Sequence, residues 1–184
     1  MKIYAKAVIY IFLVGWCAIL LSSCKSKKNL TTDTSYQKPK SKIAAKYAEA
    51  MQVYKSDIRN GKLYDFINDW EGTKYKMGGM DKNGIDCSGF VHTLYQEVYG
   101  RNIPRNTSAL MAVLKRKYEN ELKEGDLVFF DYDGKKFSHV GVYLQNGYYV
   151  HASTRKGVLV MKLKDPYTYK YFSRCGDRSW FICN

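Results

Sequence analysis

The chain has 184 residues, 46% of them hydrophobic and 26% charged, enough for one packed domain with appendages and too apolar for wholesale disorder. Three prolines and fourteen glycines exclude a collagen-like or proline-rich chain, and no repeat signals a solenoid. The net charge of +13 is concentrated in residues 25–60, where nine basic side chains meet three acidic ones; with no base-reading or RNA-binding motif beside it, this arm suits acidic phospholipid or an anionic wall polymer and not nucleic acid.

Lys2 and Lys6 precede an uncharged apolar stretch, Ala7 to Leu21, that is short of the ~20 residues a bilayer span needs. Residues 1–23 therefore read as a secretion signal. It ends in Leu21-Ser22-Ser23-Cys24, which resembles the bacterial lipobox. That resemblance implies a diacylglycerol on Cys24, removal of Cys17 with the signal, and a lipid-anchored protein of the cell envelope. By resemblance to lipoprotein sorting signals, Ser26, where an acidic residue would retain a lipoprotein at the inner membrane, implies the outer membrane, facing the periplasm. Residues 24–42 are rich in Lys, Ser and Thr, carry no apolar period and read as a flexible tether to a domain at 43–184.

Within that domain, Ile43, Tyr47, Met51, Tyr54 and Ile58 have helical spacing, with Asn60-Gly61 as the stop. Leu63, Phe66, Ile67 and Trp70 mark a second helix, ended by Gly72. Asp86 can cap a third, whose stripe is Phe90, Val91, Leu94, Tyr95 and Val98 and whose stop is Gly100. Thr107 to Lys117 reads as a fourth. After Gly125 the period changes: Leu127–Phe130, His139–Leu144, Tyr148–Ala152 and Val158–Leu163 read as strands, with a last one within Tyr171–Ile182. Helices followed by an antiparallel meander predict an α+β fold.

Cys87 falls in the first turn of the third helix, where unpaired N–H groups and the positive helix end favour thiolate. Such a cysteine is a candidate nucleophile, or else a buried inert residue. The histidines are His92, His139 and His151. His92 points away from the face of Cys87 and reads as packing. His139 and His151 flank Gln145-Asn146-Gly147 across two strands. A two-residue turn would pair 145 with 148 and put the two rings on opposite faces; a three-residue loop pairs 144 with 148 and puts them on one face as diagonal neighbours. Gly147 suits the left-handed position of such a loop. Nucleophile, base and orienting group are then Cys87, His139 and His151. The set lacks a fourth ligand and any CxxC or HxxxH spacing, so neither zinc nor another cofactor is expected.

Six segments resemble, in order, the NlpC-type cell-wall cysteine peptidases. They are Trp70 to Gly79, Asp86-Cys87-Ser88-Gly89-Phe90-Val91, Ile103-Pro104-Arg105, Gly125 to Phe130, His139-Val140-Gly141-Val142-Tyr143 and Val150-His151-Ala152-Ser153. The resemblance spans roughly residues 60–183 and implies a minimal papain-like fold, a Cys87–His139–His151 triad and hydrolysis of amides in peptidoglycan stem peptides. It implies that Tyr75 positions substrate or stabilises the oxyanion, and that Asp86 and Ser88 hold a substrate amine. Arg105 carries over less firmly, because Asn106 stands where many relatives have threonine or serine. No segment matches the SH3-like targeting domain of some members, which favours an endopeptidase acting on the wall and its cross-links. A monomer is expected, and Cys175 and Cys183, on either side of Gly176-Asp177, could be bridged in an oxidising periplasm. The rival expectations are a non-catalytic wall-binding lipoprotein, an amidase or acyltransferase on the same fold, and a lipoprotein whose basic arm binds a partner.

Overall fold

The computed structural model describes residues 37–177; Cys24, Cys183 and the signal and tether residues before position 37 lie outside the described residues. Three helices come first: α1 (Ser41–Met51), α2 (Gly61–Trp70) and α3 (Cys87–Tyr99). A two-stranded ribbon, β1 (Met80–Asp81) and β2 (Gly84–Ile85), sits between α2 and α3. After α4 (Thr107–Val113) come β3 (Lys115–Lys117), β4 (Leu127–Phe130), β5 (His139–Tyr143), β6 (Tyr148–Ser153), β7 (Gly157–Lys162) and β8 (Phe172–Asp177). These six form one antiparallel sheet in the order β3-β8-β4-β5-β6-β7. The α+β architecture is the expected one.

Local chemistry explains where helices start and stop. Asp86, in extended backbone, accepts the Gly89 N–H and opens α3; Gly100, at φ 64°, closes it. The first helix is shorter than its apolar spacing predicts. Gln52 turns left-handed (φ 56°), and the N–H groups of Gln52 and Val53 close back on Glu49 and Ala48. Asn60, predicted as a stop, instead begins α2 by accepting the Leu63 N–H at 3.2 Å. The fourth helix also ends early. Leu114 is extended, and Lys115–Lys117 joins the sheet edge beside β8, where Lys117 reaches the fully buried carboxylate of Asp126 at 2.6 Å. A cationic edge strand of this kind discourages further strand addition.

The sheet separates two apolar layers. Leu127, Phe129, Val140, Val142, Val150, Ala152 and Val158 pack with the helices, against the α3 stripe of Phe90, Val91, Leu94 and Tyr95. Val128, Phe130, Tyr149 and Cys175 point to the other side, with Tyr132, Met161 and Phe172 packed on them. Strand alternation thus delivers His139 and His151 to the aromatic layer. Cys175 is buried there, 3.2 Å from the Lys117 carbonyl oxygen.

The β5–β6 connection combines two features the sequence presents as alternatives. Tyr148 N–H donates to Gln145 O at 2.8 Å, closing a two-residue turn whose central residues, Asn146 and Gly147, both have positive φ (49° and 75°). Leu144 N–H donates to Tyr148 O as well, so Leu144 and Gln145 both face Tyr148. That one-residue bulge carries the strands into the register Val142↔Val150 and Tyr143↔Tyr149. The turn is the two-residue kind, yet the register is the one that puts both histidines on one face.

Candidate active site

Cys87 is the first residue of α3 and is 6% exposed. Its position follows from the Asp86 cap, and Asp86 is itself tightly held. One carboxylate oxygen accepts from Gly89 N–H (2.8 Å), Ser88 Oγ (3.2 Å) and Arg105 (2.9 Å). The other accepts from Gly78 N–H (2.7 Å) and from Arg105 (3.0 Å). Burial would raise the Asp86 pKa, but Arg105 and the Gly89 and Gly78 amides outweigh it, and the carboxylate stays below its usual range. Arg105 also donates to Ser88 Oγ at 2.6 Å and to Gly79 O at 3.0 Å. Gly89 leaves the space this knot needs: a Cβ there would lie 2.6 Å from Gly79 O and 2.8 Å from the Arg105 guanidinium.

Arg105, discounted on sequence because Asn106 follows it, is therefore the hub that fixes the cysteine loop. Asn106 opens α4 by accepting the Ala109 N–H at 2.8 Å, the job a threonine or serine cap would do. Asp86, Ser88 and Arg105 satisfy one another, and an amine arriving at Asp86 would compete with the guanidinium. Tyr75, bridged to Ile85, belongs to the same neighbourhood: its phenol pKa is raised by burial and then by the charges of Cys87 and Asp86, with Arg105 opposing.

The thiol is not pre-ionised. Burial pushes its pKa up and the Asp86 charge adds to that; the amides of Val140, Ser88 and Cys87 itself pull the other way and lose. The expectation that a helix N-terminus would leave a resting thiolate is overturned by desolvation. The Val140 amide lies at the thiol, which sets the sulfur against β5 one residue from His139. Among the described residues, the thiol makes no hydrogen bond to either imidazole.

His139 and His151 are 6% and 4% exposed, with ring centroids 4.9 Å apart and planes nearly perpendicular at 88°. Nε2 of His139 lies 2.6 Å from Nδ1 of His151, and Nε2 of His151 lies 3.3 Å from Met161 Sδ. Phe130 and Tyr132 pack on the His139 ring, and Tyr149 on the His151 ring. Burial lowers the His139 pKa to about 4, with the Asp86 charge partly opposing, and burial followed by the neighbouring ring lowers that of His151. Both rings are neutral at pH 7. Gly141 makes the pairing possible: a Cβ there would lie 2.7 Å from the Tyr149 ring and 3.2 Å from His151 Cβ.

His92 Nδ1 donates to the Ile103 carbonyl (2.7 Å) and takes no part in this cluster. Met161 was not legible as a site residue from composition. The signal was present in the period-two pattern of β7, where pairing Tyr149 with Met161 places Met161 beside His151 on the same face.

A cysteine at a helix start, set against an antiparallel sheet that carries paired histidines, is an arrangement able to support thiol-hydrolase chemistry. The NlpC/P60 family model matches residues 72–176, and the chain belongs to that family. It is 34% identical over 160 residues to the murein DD-endopeptidase MepS/murein LD-carboxypeptidase of Escherichia coli K12, covering 85% of each chain. It is 45% identical over 105 residues to a probable endopeptidase NlpC homolog of Haemophilus influenzae, covering 57% of this chain and 55% of that one. Among solved structures, an NlpC/P60 family protein from Bacillus cereus aligns with TM-score 0.58 and 27% identity, over 63% of this chain and 39% of that one. The NlpC/p60 domain of the peptidoglycan hydrolase SagA aligns with TM-score 0.54 and 28% identity, over 63% and 96%.

Proposed function

We propose that this protein is a peptidoglycan endopeptidase that opens peptide cross-links through a Cys87 thioester. The observation that carries the reading is the paired imidazole system, His139 to His151 at 2.6 Å, with His139 on the strand whose Val140 N–H donates towards the Cys87 sulfur, in a chain of the NlpC/P60 family. With Nε2 of His139 turned to His151, Nδ1 is the nitrogen left for the sulfur. Catalysis requires the thiol to meet that nitrogen once substrate is bound, a contact that free enzymes commonly leave open.

From that neutral pair, Nδ1 takes the thiol proton as sulfur attacks the amide carbonyl. The Cys87 N–H and the Tyr75 hydroxyl receive the oxyanion. His139 then protonates the leaving amine, and water hydrolyses the thioester by the reverse sequence. His151 stabilises the imidazolium of His139 through its other nitrogen. Arg105, Asp86 and Ser88 form one wall beside the sulfur and meet the peptide chain on that side. Lipid on Cys24 and the basic tether would keep the domain within reach of both an envelope membrane and the wall.

The test is digestion of purified cross-linked muropeptides with product masses. Conversion of dimers to monomers with the stem peptides otherwise intact is the expected result. Loss of a sugar–peptide linkage would point to an amidase, and no change at all to a wall-binding module.

A further inference from the structure

The triad needs one tautomer out of two. His139 can take a proton at Nδ1 only if its N–H is on Nε2, and that N–H must then find a lone pair on His151 Nδ1. His151 must in turn carry its own proton on Nε2. Two neutral imidazoles do not decide this by themselves, because the reversed arrangement, with His151 donating to His139, is equally well hydrogen-bonded between the rings. The direction has to be set from outside the pair.

The atom at the outer end is Met161 Sδ, 3.3 Å from His151 Nε2. A thioether has no hydrogen to give, so it can only accept. Met161 is held there by β7, whose pairing Tyr149↔Met161 and His151↔Leu159 makes it the diagonal neighbour of His151, and by the aromatic layer it packs against. In the reversed tautomer, His151 Nε2 would face the half-buried Met161 sulfur lone pair to lone pair.

We infer that Met161 is a positioning residue that polarises the His139–His151 relay, its acceptor-only sulfur fixing the proton on His151 Nε2 and leaving Nδ1 of His139 free to act as the base. This rests on the assignment of His139 as base made above. Met161 touches neither the thiol nor the scissile bond; it acts through His151.

A substitution series separates hydrogen-bond direction from size and apolarity. Leucine offers no acceptor, glutamine offers a carbonyl, and lysine offers donors only. Met161→Leu is expected to lower kcat about fivefold to tenfold, the scale of one weak hydrogen bond, with KM unchanged. Met161→Gln restores most of that loss, and Met161→Lys falls below leucine. The second readout is the nitrogen chemical shifts of the His151 ring, measured in Cys87→Ala protein with and without Met161→Leu. The proton is expected on Nε2 with methionine and spread over both nitrogens with leucine.

Equal kcat for methionine and leucine together with an unchanged His151 tautomer would overturn the inference. Full activity in Cys87→Ala would instead overturn the thiol mechanism, and the tautomer measurement would still report on Met161 by itself. Should lysine fail to fold, the leucine and glutamine variants and the ring nitrogen shifts decide the matter.

Discussion

His139 is the residue whose environment departs most from what its position along the chain suggests. Its burial among Phe130, Tyr132 and His151 pulls the pKa from 6.5 to about 4, so the ring remains a base well into acid. The acid limb of kcat/KM is expected near pH 4 and not near 6.5, measured on soluble muropeptides across pH 3.5 to 7. The same shift links to stability. The folded ring binds its proton later than the unfolded one, so the stabilisation is complete above pH 6.5 and is lost as pH falls towards 4, an effect on the order of 3 kcal/mol. Asp86, also depressed, loses its contribution further down the same limb. Arg105→Ala strands the Asp86 carboxylate, whose side chain is 8% exposed, while the Arg105 side chain is 32% exposed. Denaturant unfolding should show a loss of about 2 kcal/mol, smaller than for a fully buried pair, and Asp86→Asn in the same chain should recover part of it. That Cys87 would start a helix and that His139 and His151 would share a face was readable in the sequence, because helix capping and strand register dictate both. Their proton affinities were not, since desolvation depends on which rings close around them.

At the level of elements, β4 to β8 and α2 and α3 were legible because burial periodicity and caps agree along them, whereas the short β1, β2 and β3 carry no period long enough to read. The ends of α1 and α4 were not. Tyr54 and Ile58 continue the apolar spacing, but Gln52 adopts a left-handed turn that no glycine announces. Lys115–Lys117 leaves the helical pattern because pairing with β8 and reaching Asp126 outweigh local preference. The β5–β6 hairpin is more instructive. Asn146-Gly147 signalled a tight turn and the chemistry demanded a shared face, and the bulge at Leu144 and Gln145 reconciles the two. Gly141 is where that hairpin is most sensitive. Gly141→Ala inserts a methyl against the Tyr149 ring and His151 Cβ, so the imidazoles must separate. We expect activity to fall at least about 100-fold with a destabilisation of about 1–3 kcal/mol. Enzyme assay and thermal unfolding of one sample check both, and unchanged activity would show that the ring contact is dispensable.

For the whole molecule, the charge distribution and the lipobox-like Cys24, which lies outside the described residues, support the proposal of a catalytic domain on a basic, lipid-anchored leash. Cys24→Ala is expected to move the protein from the membrane fraction to the soluble one while leaving cleavage of soluble muropeptides unchanged, as fractionation and assay together would show. The account as a whole stands on one sulfur atom. Its most direct test is the rate of cross-linked muropeptide cleavage by Cys87→Ala beside the unaltered protein, with circular dichroism confirming the fold of each. A fall of about 1,000-fold or more is the predicted result; cleavage at the original rate by a folded variant would contradict it.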